Sequence, residues 1–227
     1  MIGMNGITVT ACLAVSLDGK ISPPTDGPYV RMGTKRDIEH LQRLRDDADA
    51  LVFGAATFRA YTKPRFGLKN SSRPLIHCIL TKTLDLPSDA PLFTHSDPQI
   101  PVMIFSSAQA PEALRAQYPP HLEWHTIDCD GAAHSVLKAL EAKGAKKIQV
   151  EGGGNILPLF LNEKLLQSIH LTLCPLFVGQ APLNSALSIP GLISQPLNQV
   201  IRTKLLASKV LGDELYLHYQ CLYDEHV

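Results

Sequence analysis

An α/β fold with a mostly parallel central sheet and a C-terminal antiparallel hairpin is what this sequence predicts, and three observations predict it. Apolar segments rich in β-branched residues alternate with single helical stretches, the pattern of right-handed crossovers between parallel strands. Two of those segments run into glycines just before a helix, at Ala50-Leu51-Val52-Phe53-Gly54 and at Lys147-Ile148-Gln149-Val150-Glu151-Gly152-Gly153-Gly154. After Pro190 and Pro196 the pattern changes to two β-rich runs, Val200 to Ser208 and Glu214 to Tyr223, around Leu211-Gly212-Asp213, which reads as a hairpin at a sheet edge.

The strands are expected at Ile7 to Val15, Ala50 to Phe53, Leu75 to Leu80, Val102 to Phe105, Lys147 to Val150 and Ser168 to Leu173, each short and bounded by turn-forming residues. The first has no lysine or arginine ahead of it and is followed directly by Asp18 and Lys20, so it reads as a strand and not as a signal peptide. The clearest helix runs from Thr34 to Asp46, with Thr34 as N-cap and Ile38, Leu41, Leu44 and Arg45 along one face. Two more are expected at Pro111 to Gln117, with proline in the first turn, and at Ala132 to Lys143, stopped by Gly144. Asn155 is placed to cap a helix beginning near Ile156. No repeat, low-complexity tract or linker divides the chain, so residues 1–227 read as one domain.

Composition narrows the function. With 21 basic and 21 acidic residues the formal net charge is zero, so no long-range field favours nucleic acid or an anionic membrane. No apolar run has the length of a membrane span. Five cysteines, scattered and without a C-x-x-C pair, suit buried thiols in a reducing cytoplasm. His121, His125 and Cys129 recur at four-residue intervals, but in an irregular strand that spacing does not converge ligands, and no metal site is expected. No G-x-S-x-G marks a serine nucleophile.

The glycine corners carry the chemistry. Residues without Cβ let backbone N–H groups close on an anion, and a helix start adds its partial positive charge. Glu151 cannot face a phosphate without repulsion, so it is expected to meet a hydroxyl or ring N–H of a second ligand. Gly54-Ala55-Ala56-Thr57 offers close backbone approach and a hydroxyl. In open α/β sheets ligands bind beyond the carboxyl ends of the strands, so both corners are expected on one rim, sharing one nucleotide. The first strand ends in Ser16-Leu17-Asp18-Gly19-Lys20-Ile21, a donor and an acceptor suited to the amide edge of a pyrimidine or pteridine. Arg45 and Arg65 flank the Gly54 corner as candidate phosphate forks, and Lys82 follows a strand end where a ribose 2′-phosphate would favour NADP.

Taken in order, Ala14-Val15-Ser16-Leu17-Asp18-Gly19-Lys20-Ile21, Leu44-Arg45 leading to Ala50-Leu51-Val52-Phe53-Gly54-Ala55-Ala56-Thr57, Val150-Glu151-Gly152-Gly153 and Cys174-Pro175-Leu176-Phe177-Val178-Gly179 resemble the pyrimidine reductase domain of riboflavin biosynthesis. The resemblance implies a dihydrofolate-reductase-like three-layer fold. It also implies NADPH-dependent reduction of the ribosyl group of 5-amino-6-(5-phosphoribosylamino)uracil to ribityl, and a homodimer. Ala14, Arg31, Gly54, Thr57, Lys82 and the loop Gly152, Gly153, Gly154, Asn155 and Ile156 would contact the cofactor. Lys20, Tyr29, Arg45, Arg65 and Glu151 would contact the substrate, and Asp18, Lys20 or a water would supply the balancing proton. The chain departs from the resemblance at Ala60-Tyr61-Thr62-Lys63-Pro64-Arg65, where bacterial members carry Asp-Asp-Pro, and at Arg31, where many carry tryptophan. Bifunctional relatives add a zinc deaminase marked by H-x-E together with P-C-x-x-C; that combined signature does not occur here, so a stand-alone reductase is expected. Two other readings stay open: a dihydrofolate or dihydropterin reductase of the same fold, and a nucleotide-binding relative without turnover.

Overall fold

A computed structural model describes residues 6–21, 31–64, 74–94, 100–128, 130–179, 192–193 and 196–223. Tyr29, Arg65 and Cys129 lie outside the described residues. In chain order the elements are β1 (Thr8–Ser16), α1 (Lys35–Asp46), β2 (Ala50–Gly54), α2 (Ala55–Ala60), β3 (Ile76–Thr81), α3 (Pro91–Thr94), β4 (Val102–Ser106), α4 (Glu112–Arg115), β5 (Glu123–Thr126), α5 (Ala132–Ala142), β6 (Lys147–Val150), α6 (Leu157–Asn162), β7 (Ser168–Cys174), β8 (Arg202–Leu211) and β9 (Glu214–Leu222). One nine-stranded sheet orders them β5-β4-β3-β2-β6-β1-β7-β9-β8. The first seven in that order pair in parallel, and β9 and β8 add antiparallel.

The parallel strands are buried on both faces, so they read as continuous apolar runs; β2 and β4 are buried at every residue. Alternate residues feed two cores. Val9, Ala11, Leu13, Val52, Ile148 and Val150 pack with Val136, Leu140 and Phe160 of α5 and α6. Leu51, Phe53, Ile79 and Ile104 pack with Phe58 of α2 and Phe93 of α3. Helices on both faces of one sheet give the three-layer arrangement.

Helix α1 lies on the second of these faces and is tied to the hairpin. Its N-cap Thr34 accepts from the Arg36 N–H, while the Thr34 N–H and hydroxyl each donate to the Glu214 carboxylate at 2.6 Å. Tyr216 Oη donates to the same carboxylate at 2.6 Å. Burial disfavours the Glu214 charge, but these donors outweigh it and hold its pKa below the usual value. Below them, His170 of β7 and His218 of β9 sit opposite each other in register, with rings stacked at 3.9 Å. His40 of α1 meets His170 edge-on at 5.7 Å.

Two local expectations change. Asn155 does not cap α6: it is exposed, the cap position is Ile156, and no side chain closes it. The helix expected over Pro111 to Gln117 forms only over Glu112–Arg115, because the chain must descend to Tyr118, which is buried and donates to Leu86 O at 2.7 Å. The irregular stretch around Trp124 is an edge strand, β5, and His125 there stacks on Phe105 at 4.8 Å.

Candidate functional site: the glycine corners of the strand rim

Because β1, β2, β3, β6 and β7 run parallel, their carboxyl ends fall on one edge of the sheet, with Ser16 opposite Cys174 and Gly54 opposite Leu80. The corners after β2 and β6 touch. The Gly54 N–H donates to Gly152 O at 3.3 Å and the Glu151 N–H to Val52 O at 2.9 Å. A Cβ on Gly54 would lie 3.1 Å from Ile156 Cγ1, so any larger residue would have to push Ile156 aside where α2 and α6 start.

Gly152 has φ +83 and the Gly152–Gly153 peptide is cis. A Cβ on Gly152 would meet Leu13 Cδ2 at 3.1 Å; one on Gly153 would touch Ile21 Cδ1 at 3.7 Å and Thr57 Oγ1 at 3.8 Å. Gly153 therefore faces the gap between the turn after β1 and the first turn of α2. The Ile156 and Leu157 N–H groups turn back onto Gly153 O at 2.8 and 3.4 Å. Among the described residues, no hydrogen bond engages the N–H groups of Gly153 and Gly154. Donors left open beside a glycine surface are what an anionic or amide-bearing ligand needs.

Ala14 is half-buried near the end of β1, and Thr57 is half-buried in α2. Lys82 is exposed directly after β3, on the same edge. Arg31 is exposed shortly before α1.

Arg45 and Glu151, each expected to face a ligand, face each other. Arg45 Nε donates to Glu151 Oε1 at 2.5 Å and Nη2 to Oε2 at 2.7 Å. The two side chains are only 9% and 6% exposed. Gln149 Nε2 also donates to Glu151 Oε1, at 2.8 Å. The reason is geometric: Gln149 and Glu151 are two residues apart and share the sheet face that α1 covers, and Arg45 closes the last turn of α1 above them. A buried carboxylate takes the nearest guanidinium fork. Gln149 was missed in the sequence, although the i, i+2 spacing to Glu151 is the signal that finds it.

The turn after β1 is held from both sides. Asp18 accepts from the Ser16 hydroxyl at 2.6 Å, from the Val178 N–H at 3.0 Å and from the Gly179 N–H at 2.7 Å. The Ser16 hydroxyl, followed by those amides, keeps the Asp18 carboxyl ionised down to about 2. The Lys20 N–H donates to Ser16 Oγ at 2.9 Å. Nothing in the sequence pairs Asp18 with residues 178 and 179; the contact follows from β1 and β7 being neighbours.

Comparison with known proteins agrees with this architecture. The chain is 23% identical over 212 residues to the 2,5-diamino-6-ribosylamino-4(3H)-pyrimidinone 5′-phosphate reductase of Methanothermobacter thermautotrophicus, covering 91% of this chain and 94% of that protein. Among solved structures, a pyrimidine reductase-like protein of Corynebacterium diphtheriae superposes with a TM-score of 0.77 at 22% identity, covering 97% of this chain and 94% of the other. A deaminase/5-amino-6-(5-phosphoribosylamino)uracil reductase of Thermotoga maritima gives 0.73 at 19% identity; 95% of this chain matches, and it spans 57% of that longer chain. The family model for the RibD C-terminal domain matches residues 7–217, so the chain, with its paired glycine corners on a parallel-strand rim, belongs to the RibD C-terminal domain family.

Proposed function

We propose that the protein is an NADPH-dependent pyrimidine reductase of riboflavin biosynthesis that converts the ribosyl group of a phosphoribosylated aminopyrimidine to ribityl. The observation that carries this reading is the contact between the Gly54 and Gly152–Gly154 corners, which leaves a side-chain-free surface between three rim elements. Those residues fit a dinucleotide. Gly152, Gly153, Gly154, Asn155 and Ile156 would hold its pyrophosphate, Gly54 and Thr57 the adjoining ribose, and Ala14 the nicotinamide side. Lys82 and Arg31 are cations for the 2′-phosphate end.

When bound, the cofactor supplies a hydride to C1′ of the opened ribosyl imine, and the imine nitrogen takes up one proton. The protein's share is position and electrostatics. Lys20 presents its ammonium from the turn after β1 toward the pyrimidine. Tyr29 and Arg65 are assigned to the substrate, with Arg65 at the phosphate. Arg45 and Glu151, paired with each other, brace the wall of the site.

The pyrimidine base is either the 2,5-diamino-4-pyrimidinone or the 5-aminouracil, which differ at the C2 substituent. A homodimer is part of the proposal. In β8, which ends the sheet, residues 202–210 are all exposed, Leu205 and Leu206 at 48% and Val210 at 69% among them, and an uncovered edge strand invites a second copy. The free, buried thiols of Cys12, Cys78, Cys174 and Cys221 support a cytoplasmic setting. Among the described residues, no helix is long and apolar enough to cross a membrane.

The test is NADPH oxidation with each of the two phosphoribosylaminopyrimidines and with dihydrofolate, beside fluorescence titration of NADPH and NADH into the protein and into Gly153→Asp. Turnover of a phosphoribosylaminopyrimidine, and loss of NADPH binding in the variant, are expected. Activity on dihydrofolate alone would overturn the substrate class, and equal NADPH affinity in Gly153→Asp would overturn the cofactor site.

A further inference from the structure

One side chain joins two loops of the rim and, through a hydroxyl, reaches the main chain of Lys20. Ser16 is 1% exposed, and its hydroxyl has one proton to give. That proton goes to Asp18 Oδ1, which turns an oxygen lone pair toward the Lys20 N–H. The Ser16 N–H donates to Lys20 O at 2.9 Å, so Ser16 grips both backbone groups of Lys20. On its other side the Asp18 carboxylate receives the Val178 and Gly179 N–H groups, and the Leu17 N–H donates to Leu176 O at 2.9 Å. The segment after β7 thus runs alongside the turn after β1, and it carries Phe177, 76% exposed. Gly179, with φ +78, gives the bend that brings its N–H round to Asp18.

We propose that Asp18 is a positioning residue for the rim ammonium Lys20. Its carboxylate sets the Ser16 hydroxyl, the hydroxyl sets the Lys20 main chain, and the same carboxylate docks the 176–179 loop against the turn. The inference rests on the reductase reading above and removes Asp18 from the proton-donating step, leaving that proton to Lys20 or to a water. The ionised state of Asp18 agrees with this: a carboxyl that titrates at about 2 carries no proton at neutral pH.

Asp18→Asn and Asp18→Ala separate the roles. The amide keeps an oxygen for the Ser16 hydroxyl and the Val178 N–H but sets an NH₂ against the Gly179 N–H. Positioning predicts that Asp18→Asn retains kcat within about tenfold, while Asp18→Ala loses about a hundredfold through a misplaced Lys20. Ser16→Ala should resemble Asp18→Ala, the double variant should be no worse than either, and the pH profile of kcat should keep its shape in all of them. Amide hydrogen exchange at Lys20, Val178 and Gly179 should quicken in Asp18→Ala whether or not the protein turns over a pyrimidine. Unchanged exchange at those amides would overturn the proposal. So would an Asp18→Asn variant as inactive as Asp18→Ala with the acidic limb of its profile lost, since that is the behaviour of a proton donor. A wild-type protein inactive on every pyrimidine would fail the reductase reading, while the exchange measurement would still decide the chain from Asp18 to Lys20.

Discussion

Breaking the Arg45–Glu151 pair should be among the most damaging single changes to this protein. In Glu151→Leu, Arg45 loses both charge-assisted hydrogen bonds, at 2.5 and 2.7 Å, in a place where its side chain is 9% exposed. Removing one partner of such a pair costs about 3–5 kcal/mol, because the remaining charge stays buried without its bidentate counter-charge. That is a large share of the ~5–15 kcal/mol that holds a typical domain folded. At about 2–4 °C per kcal/mol for a chain of this size, Tm should fall by about 6–20 °C. Arg45→Met takes the guanidinium from the carboxylate instead and should cost a similar amount, partly relieved by the Gln149 amide at 2.8 Å. The double variant Arg45→Met/Glu151→Leu buries no charge at all, so it should be more stable than either single variant, with a coupling energy of about 2 kcal/mol or more. Denaturant unfolding followed by circular dichroism measures all three. If Glu151→Leu cost less than about 1 kcal/mol, or if the two single losses simply added, the reasoning about mutual compensation would be refuted.

Stability should also fall on mild acidification. Burial, then the nearby His218 and His40 rings, holds the His170 pKa at about 4 against an ordinary 6.5. The unfolded chain therefore binds the extra proton first, and stability is unaffected above pH 6.5 but drops as pH falls from there to about 4. The full difference is worth about 3 kcal/mol, and screening at a half-buried ring reduces the expected loss to about 1–2 kcal/mol; His170→Phe should flatten this part of the stability profile, and an unchanged slope would contradict it. Gly152→Ala combines a left-handed φ of +83 with a Cβ 3.1 Å from Leu13 Cδ2, and should cost about 1–3 kcal/mol while weakening NADPH binding in a titration. Val210→Lys, on the exposed final strand at 69% exposure, should leave the unfolding midpoint of dilute protein unchanged and shift sedimentation toward the monomer.

Much of this architecture is legible along the chain because its signals are local. The six strands read from β-branched runs all form, at boundaries shifted by one residue at most, and Thr34 caps α1 where a hydroxyl precedes the amphipathic run. The Gly54 and Gly152 corners are legible because a Cβ at Gly54 would press on Ile156 and one at Gly152 on Leu13, each at 3.1 Å, a constraint that leaves glycine in the sequence. What is not legible depends on which distant segments become neighbours. Arg45 and Glu151 are 106 residues apart, and only the order β2-β6-β1, with α1 above it, sets them face to face. Asn155 looks like a helix cap by residue type, yet the cap position of α6 is Ile156, whose side chain fills the space that Gly54 leaves. The Asp18 bonds to the Val178 and Gly179 amides likewise depend on β7 lying beside β1.

Cys12 lies in the strand beneath the Arg45–Glu151 pair. Burial, followed by the charges of Glu151 and Asp37, pushes its thiol well above the usual range, and Cys174 at the end of β7 is raised to about 12 by burial together with Asp37 and Glu214. Neither sulfur offers a thiolate to an alkylating reagent while the fold is closed. Their modification rates therefore act as internal clocks: labelling at Cys12 and at Cys174 times the uncovering of the sheet face on which α1 lies.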